Sequence, residues 1–343
     1  MDCLKWSWFR LKEFLKEQFG LHASGIFKAG GYDAFRIGGT TGFIIPVPQL
    51  DEQELFELYY MSQYLQEKRE PYVAAFWPSL QGTLSAEKDG KRYAVLKCPD
   101  TIQPRSLTEG RELAQFHQRA RSYSYQADKM KRIGQWKDLW ERRIDQLEAF
   151  WRGKVQAHPL DHFEKLFIES FPYYLGMAEN GIQYLVDTEL DDEPAASDSA
   201  TICHNRFHSE LWTNELPVKL PTDWVFDHAS RDVAEYLRHE FLHFPDRLKK
   251  RGGSFLADYD RTVPLSSFGW RLIYSRLLFP IHYFECIEDY YLSSEQQKPV
   301  YEKKLYSILE RSEEYEQFLA SYSNMLSMRT RRIQLPLLHW IGR

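Results

Sequence analysis

Leu4, Trp8, Leu11, Leu15 and Phe19 recur at steps of four, three, four and four. That period puts them on one face and predicts an amphipathic helix over 3–19. Its polar face mixes both charge signs, which suits a helix capping a domain better than one lying on a membrane surface. Residues 24–48, SGIFKAGGYDAFRIGGTTGFIIPVP, break at Gly30-Gly31 and Gly38-Gly39 and predict three short strands joined by tight turns. A helix is expected over 51–67, opening with acids as a helix N-terminus prefers. In TLSAEKDGKRYAVLKC, Asp89-Gly90 separates two alternating runs and signals a hairpin. The first hundred residues therefore read as three strands, a helix and two strands.

The texture changes after Pro104. Residues 106–121 read as helix, and 130–155 and 160–187 carry long helical patterns interrupted by Gly153 and Pro159. ELDDEPAASDSAT, 189–201, is a polar acidic loop, and short strand-like pieces follow over 202–226. Residues 230–330 are mostly helical, punctuated by Pro245, Gly252-Gly253, Pro264 and Pro280. The expected layout is an N-terminal lobe over 1–104 and a large helical lobe over 105–343 with a small β patch in its middle.

Composition narrows the classes. Of 343 residues, 43% are hydrophobic and 27% charged, enough apolar material to bury a core. A net charge of −5 argues against a nucleic-acid binder. The 21 Tyr and 10 Trp suit a thick core or an assembly-forming surface. Cys3, Cys98, Cys203 and Cys286 have neither metal-ligand spacing nor a disulfide framework, which favours a reducing compartment. Charges interrupt every apolar run near the N-terminus, so no signal peptide is expected, and no stretch has the length of a membrane span.

Two patterns suggest metals. HEFLH, His239 to His243, matches the zinc pattern in which two histidines one turn apart bind metal and Glu240 acts as base. Downstream, FPDRLK lacks the third histidine of the extended form, Pro245 threatens the helix, and only a distant acid such as Glu285 remains. HNRFH places His204 and His208 at helical spacing, but Arg206 between them repels a cation. No metal is expected at either. The glycine pairs read as hairpin turns, because no Gly-Lys-Ser/Thr follows them.

The ordered segments TEGRELAQFHQRA, CHNRFHSEL and WVFDHASRDVAEYLR resemble, in turn, the post-hinge helix, the H-G-D-x-H-x-x-N catalytic loop and the I-D-F segment of aminoglycoside and choline phosphotransferases. DLWERRIDQLEAFW and the stretch over 255–291 are similar to spore coat proteins that share this kinase-like fold. The resemblance runs from about residue 21 to beyond 300. It implies an α+β, bilobal, protein-kinase-like fold of the aminoglycoside phosphotransferase type. The small lobe would be a five-stranded sheet plus one helix, and the catalytic-type loop would lie at 202–228.

Carried over by position, the catalytic aspartate of the family falls on Arg206, which cannot accept a proton. The metal-binding asparagine falls on Leu211, and Asn214 lies three positions late. The loop glycine has become Asn205. His204 and His208 match the pattern as architectural residues. The second metal aspartate is retained as Asp227, while Asp232 reads as a backbone-fixing acid. The phosphate-gripping lysine falls on Pro46. Residues 29–67 hold no lysine, and Arg36 is the only cation there. Glu52, Glu54 and Glu57 therefore lack their usual partner.

Loss of one such group typically costs orders of magnitude in rate. The resemblance thus implies an inactive, kinase-like structural component of a bacterial spore coat that binds other coat proteins. It would have no cofactor, no nucleotide and no nucleic-acid partner, and would be made in the mother-cell cytoplasm and then placed in the coat. The alternatives are an atypical phosphotransferase using Asp227 with a relocated acid such as Glu210, and a zinc hydrolase through His239, Glu240 and His243. Arg206 is expected to reach Asp227 or a neighbouring acid. The tail MRTRRIQLPLLHWIGR is a candidate docking segment.

Overall fold

Two glycine pairs with positive φ, Gly30-Gly31 and Gly38-Gly39, turn the chain between β1 (Gly25–Ala29), β2 (Tyr32–Ile37) and β3 (Thr40–Pro46). L side chains rarely adopt that backbone, so the turns fall where the sequence placed them. The computed structural model describes residues 8–99, 107–157, 159, 161–212 and 218–325. Cys3, Leu4, Asn214 and the tail over 328–343 lie outside the described residues. The chain divides into two units, Met1–Arg132 with Ala200–Asp232, and Ile133–Ser199 with Val233–Arg343.

In the first unit, α1 (Trp8–Phe19) packs Leu11, Phe14, Leu15 and Phe19 against Ile26, Phe35, Ile44 and Val95 of the sheet. The capping-helix reading holds, with one change of face: Trp8 is 65% exposed and Phe14 takes a core place instead. After β3 comes α2 (Glu52–Glu67), entered through a capping box in which Asp51 and Glu54 each accept the other's backbone N–H at 2.8 Å. β4 (Ala75–Trp77), β5 (Ala86–Lys88) and β6 (Lys91–Pro99) complete an antiparallel sheet. Its order is β1-β2-β3-β6-β4, with β5 on β6. The sheet has six strands, one more than expected. Three-residue β4 is too short to display an alternation.

Gly42 of β3 lies opposite Phe35 of β2, and a Cβ there would fall 2.2 Å from the Phe35 ring. The missing side chain lets the ring lie across the strand. α3 (Glu109–Ala120) and the hairpin of β7 (Thr201–His204) with β8 (Trp224–Asp227) complete this unit.

The second unit is helical. It contains α4 (Trp136–Ala157), α5 (His162–Asp191), most of α6 (Ser230–His243), α7 (Pro245–Thr262), α8 (Ser267–Leu278), α9 (Ile281–Leu292), α10 (Lys298–Glu310) and α11 (Ser312–Met325). α5 crosses at Gly181, where a Cβ would meet the Phe279 backbone at 3.0 Å. Stacked rings fill the core: Phe163 on Tyr290, Tyr174 on Tyr283 and Tyr236 on Phe255. Much of the aromatic load is thus interior packing. Cys98, Cys203 and Cys286 are buried. No described helix is long and apolar enough to cross a membrane.

Candidate functional site

β7 and β8 pair with Thr201 opposite Asp227 and His204 opposite Trp224. The loop between them closes where the Asn205 N–H donates to the Asp223 carbonyl at 2.7 Å. The described residues of this loop, 205–212 and 218–223, come beside the end of β3. A cleft of about 700 Å³ lies there, lined among others by Tyr32, Pro46, His204, Arg206, Glu210 and Asp223.

The frame beneath the loop is held by one buried carboxylate. Asp232, in the first turn of α6, accepts the His204 N–H at 2.9 Å, His204 Nδ1 at 2.8 Å and His117 Nε2 at 3.1 Å. Thr201 Oγ1 donates to the His117 carbonyl at 2.9 Å and ties α3 to the same frame. Burial alone would raise the Asp232 pKa, but the charge and hydrogen bonds of His204 and His117 hold it below the ordinary carboxylate value. Burial also lowers the His117 pKa, with the hydrogen bond and charge of Asp232 opposing. Asp232 fixes backbone, as its place in the D-V-A run suggests. His117, Cys203 and Asp232 also bring three metal-type donor atoms within 4.8 Å of one another, but both His117 and Asp232 are spent on these hydrogen bonds.

Asp227, on β8, is fully buried. Its Oδ1 accepts the His228 N–H at 2.7 Å, and its Oδ2 accepts Arg231 Nη1 at 2.8 Å. β8 ends at Asp227 and α6 begins at Ser230, so Arg231 stands one helical turn from the carboxylate it pairs with. The same guanidinium donates to the His204 carbonyl at 3.1 Å, the Asn205 carbonyl at 3.3 Å and Asn205 Oδ1 at 3.0 Å. The cation on Asp227 is therefore Arg231 and not Arg206. Arg206 is half-exposed and donates to the Asn205 carbonyl at 2.8 Å. Burial pushes nearby Asp223 up to about 6, and the charges of His204, Arg206 and Arg231 limit the rise.

β3 offers no cation. Pro46 is exposed at its end, opposite Tyr93. Glu52, Glu54 and Glu57 of α2 each have another partner. Glu52 accepts the Leu84 N–H at 2.7 Å and Arg92 at 3.2 Å. Glu54 serves the capping box, and buried Glu57 accepts the N–H groups of Lys129 and Met130. The buried lysine of this unit is Lys219. It pairs with Glu70 and, at 2.9 Å, with Glu112, and lies 4.4 Å from the Trp212 ring centre. Its N–H donates to the Tyr72 carbonyl and its carbonyl accepts from the Ala74 N–H, so residues 218–220 are sewn beside Val73. Leu211 and His208 sit on a turn joined by the Leu211 N–H to the His208 carbonyl at 3.1 Å, and Glu210 is exposed beside them.

The zinc motif occupies the last turn of α6. Pro245 opens α7 and leaves α6 whole, with the His239 and His243 rings 4.4 Å apart. Glu240 is buried and its Oε2 lies 3.3 Å from Arg251 Nε. Among the described residues, no cluster of three metal-type ligands contains both histidines.

Sequence reasoning found Asp227 and the loop but missed Arg231, Lys219 and Asp223. Arg231 had a signal: it stands four residues after Asp227 at a helix start, a spacing that allows pairing. Lys219 and Asp223 had none, since their surroundings come from distant segments.

The antiparallel sheet with one helix, and the loop set on β7 and β8, define a kinase-like fold of the aminoglycoside phosphotransferase type. An aminoglycoside phosphotransferase from Alicyclobacillus acidocaldarius superposes with a TM-score of 0.62 at 15% identity, covering 89% of this chain and 92% of that one. A microcompartment-associated aminopropanol kinase gives 0.59 at 10% identity, over 92% and 98%. The profile of the family described as "Spore coat putative kinase YutH" matches residues 12–322, and the chain belongs to that family. The endospore coat-associated protein YutH of Bacillus subtilis (strain 168) is 50% identical over 334 residues, 97% of this chain and 98% of the relative.

Proposed function

We propose that this is a kinase-fold protein without phosphotransferase activity, a structural and binding component of the bacterial spore coat. It is made in the mother cell and assembles with other coat proteins. The coat assignment is supported by the half-identical relative named as endospore coat-associated. The inactivity is supported above all by Asp227, whose two oxygens are taken by the chain's own donors. Arg206 stands where the family's proton acceptor falls, Leu211 where its asparagine falls, and Pro46 closes a strand without a cation. At those positions the groups that would orient a hydroxyl, hold a metal and grip phosphate are replaced.

The test is a thermal-shift titration with magnesium and ATP, followed by a turnover assay. The expected result is no saturable stabilisation and no phosphate transfer above buffer. Turnover that disappears in Asp227→Asn would instead establish the phosphotransferase reading. A tagged chain should fractionate with the coat of purified spores; recovery in the soluble cytoplasm alone would refute the coat assignment.

A further inference from the structure

Arg231 is buried, and its donors are met from β8 and from the loop at 204–205. Four oxygens face its guanidinium: Asp227 Oδ2 at 2.8 Å, Asn205 Oδ1 at 3.0 Å, the His204 carbonyl at 3.1 Å and the Asn205 carbonyl at 3.3 Å. One carries a negative charge and three are neutral. That is the donor set hard divalent cations prefer, all oxygen with a carboxylate among them. Arg231 and Asp227 have side chains 7% and 0% exposed, so water screens the pair little. The residues at Asp227 therefore do not fit a resident metal ion, because its place among the oxygens is filled.

We propose that Arg231 is a built-in substitute for a divalent cation. It holds the loop at 204–205 to Asp227 as a metal would, and Asp227 is a latent metal site that opens only when the guanidinium is removed. The proposal rests on the inactive reading above and goes further by naming what occupies the site. Geometry supports it in two ways. The two-residue connection between β8 and α6 leaves Arg231 within one turn of Asp227. Its donors are divided between β8 and the loop rather than spent on the carboxylate alone. An arginine serving only to neutralise Asp227 would more simply lie on it in a two-pronged pair.

The experiment titrates Mn²⁺ into the full chain and follows free Mn²⁺ by electron paramagnetic resonance, with melting temperature recorded in parallel. The proteins are wild type, Asp227→Asn, Arg231→Ala, Arg231→Gln and Arg231→Ala/Asp227→Asn. The wild type is expected to show no binding that Asp227→Asn removes, and no change in melting temperature between EDTA and millimolar Mn²⁺. Arg231→Ala should melt lower, gain an Asp227-dependent site at least ten-fold tighter than any in wild type, and recover part of the lost melting temperature with Mn²⁺. Arg231→Gln keeps amide donors for the loop and serves if the alanine variant does not fold.

Wild-type Mn²⁺ binding that Asp227→Asn abolishes would overturn the proposal. So would a folded Arg231 variant that gains none. Phosphate turnover by the wild type would sink the inactive reading independently. Asp227-dependent Mn²⁺ binding without turnover would sink only the role of Arg231.

Discussion

Phe35 lies flat across β3 because Gly42 has no side chain. Gly42→Ala forces a methyl into that ring, and overpacking of this kind costs about 1–3 kcal/mol. Chemical denaturation should show that loss, with a midpoint near wild type overturning the account. Asp223 gives a prediction that depends on pH. Its carboxyl stands at about 6, above the ordinary value, so the folded chain holds that proton more tightly than the unfolded one. The stability tied to the protonated form is full below the ordinary carboxylate pKa and is lost as pH rises through 6. Asp223→Asn should therefore raise the melting temperature at pH 8 and leave it nearly unchanged at pH 4. At this scale the sequence offered a reading wherever a motif fixed position, as at Arg206, Leu211 and Asp227. It was silent where a residue's role depends on distant neighbours, as for Lys219, whose acids come from positions 70 and 112.

Among the elements, α5 and α8 meet where Gly181 lets the Phe279 backbone approach, and Ser275 Oγ donates to the Gly181 carbonyl at 3.0 Å. Gly181→Val should separate the helices and lower the melting temperature of the second unit, whereas Gly153→Ala, at an open position of α4, should not. His282 of α9 is buried, and its pKa is lowered to about 3 by burial and then by the charge of Arg238. The folded state thus refuses a proton that the unfolded chain takes up below about 6.5. Stability from this group is present above that value and lost as pH falls toward 3. Replacing His282 with Gln should flatten the acid limb of the stability curve by up to about 1.4 kcal/mol per pH unit. Strong helical periods and glycine turns made most elements legible in advance. β4 was not, because three residues cannot carry a period, and Trp8 misled because exposure on α1 is decided by the sheet beneath it.

For the whole molecule, the fold followed from the order of three weak motifs more than from any one, and the coat family from the further stretches 138–151 and 255–291. What stayed illegible was which chemistry survived, since an aspartate retained in sequence reads the same whether solvent, metal or arginine holds it. A fluorescent fusion to the full chain should collect around the developing spore, and the Asp227→Asn variant should do so equally if that residue has no catalytic duty. A loss of targeting specific to a folded Asp227→Asn protein would argue otherwise.

The first unit is also discontinuous: residues 133–199 intervene before Ala200–Asp232 complete it. Lys219, the residue that sews the hairpin segment beside Val73, is thus made long after the sheet it joins. At about 5–20 residues per second, a ribosome needs roughly 5–20 s to pass from the end of the first segment to the end of the second. Over that interval Glu112 awaits its lysine, while Glu70 has Arg119 of the earlier segment to pair with. A nascent chain released before residue 219 would carry two acids that the finished protein keeps out of water.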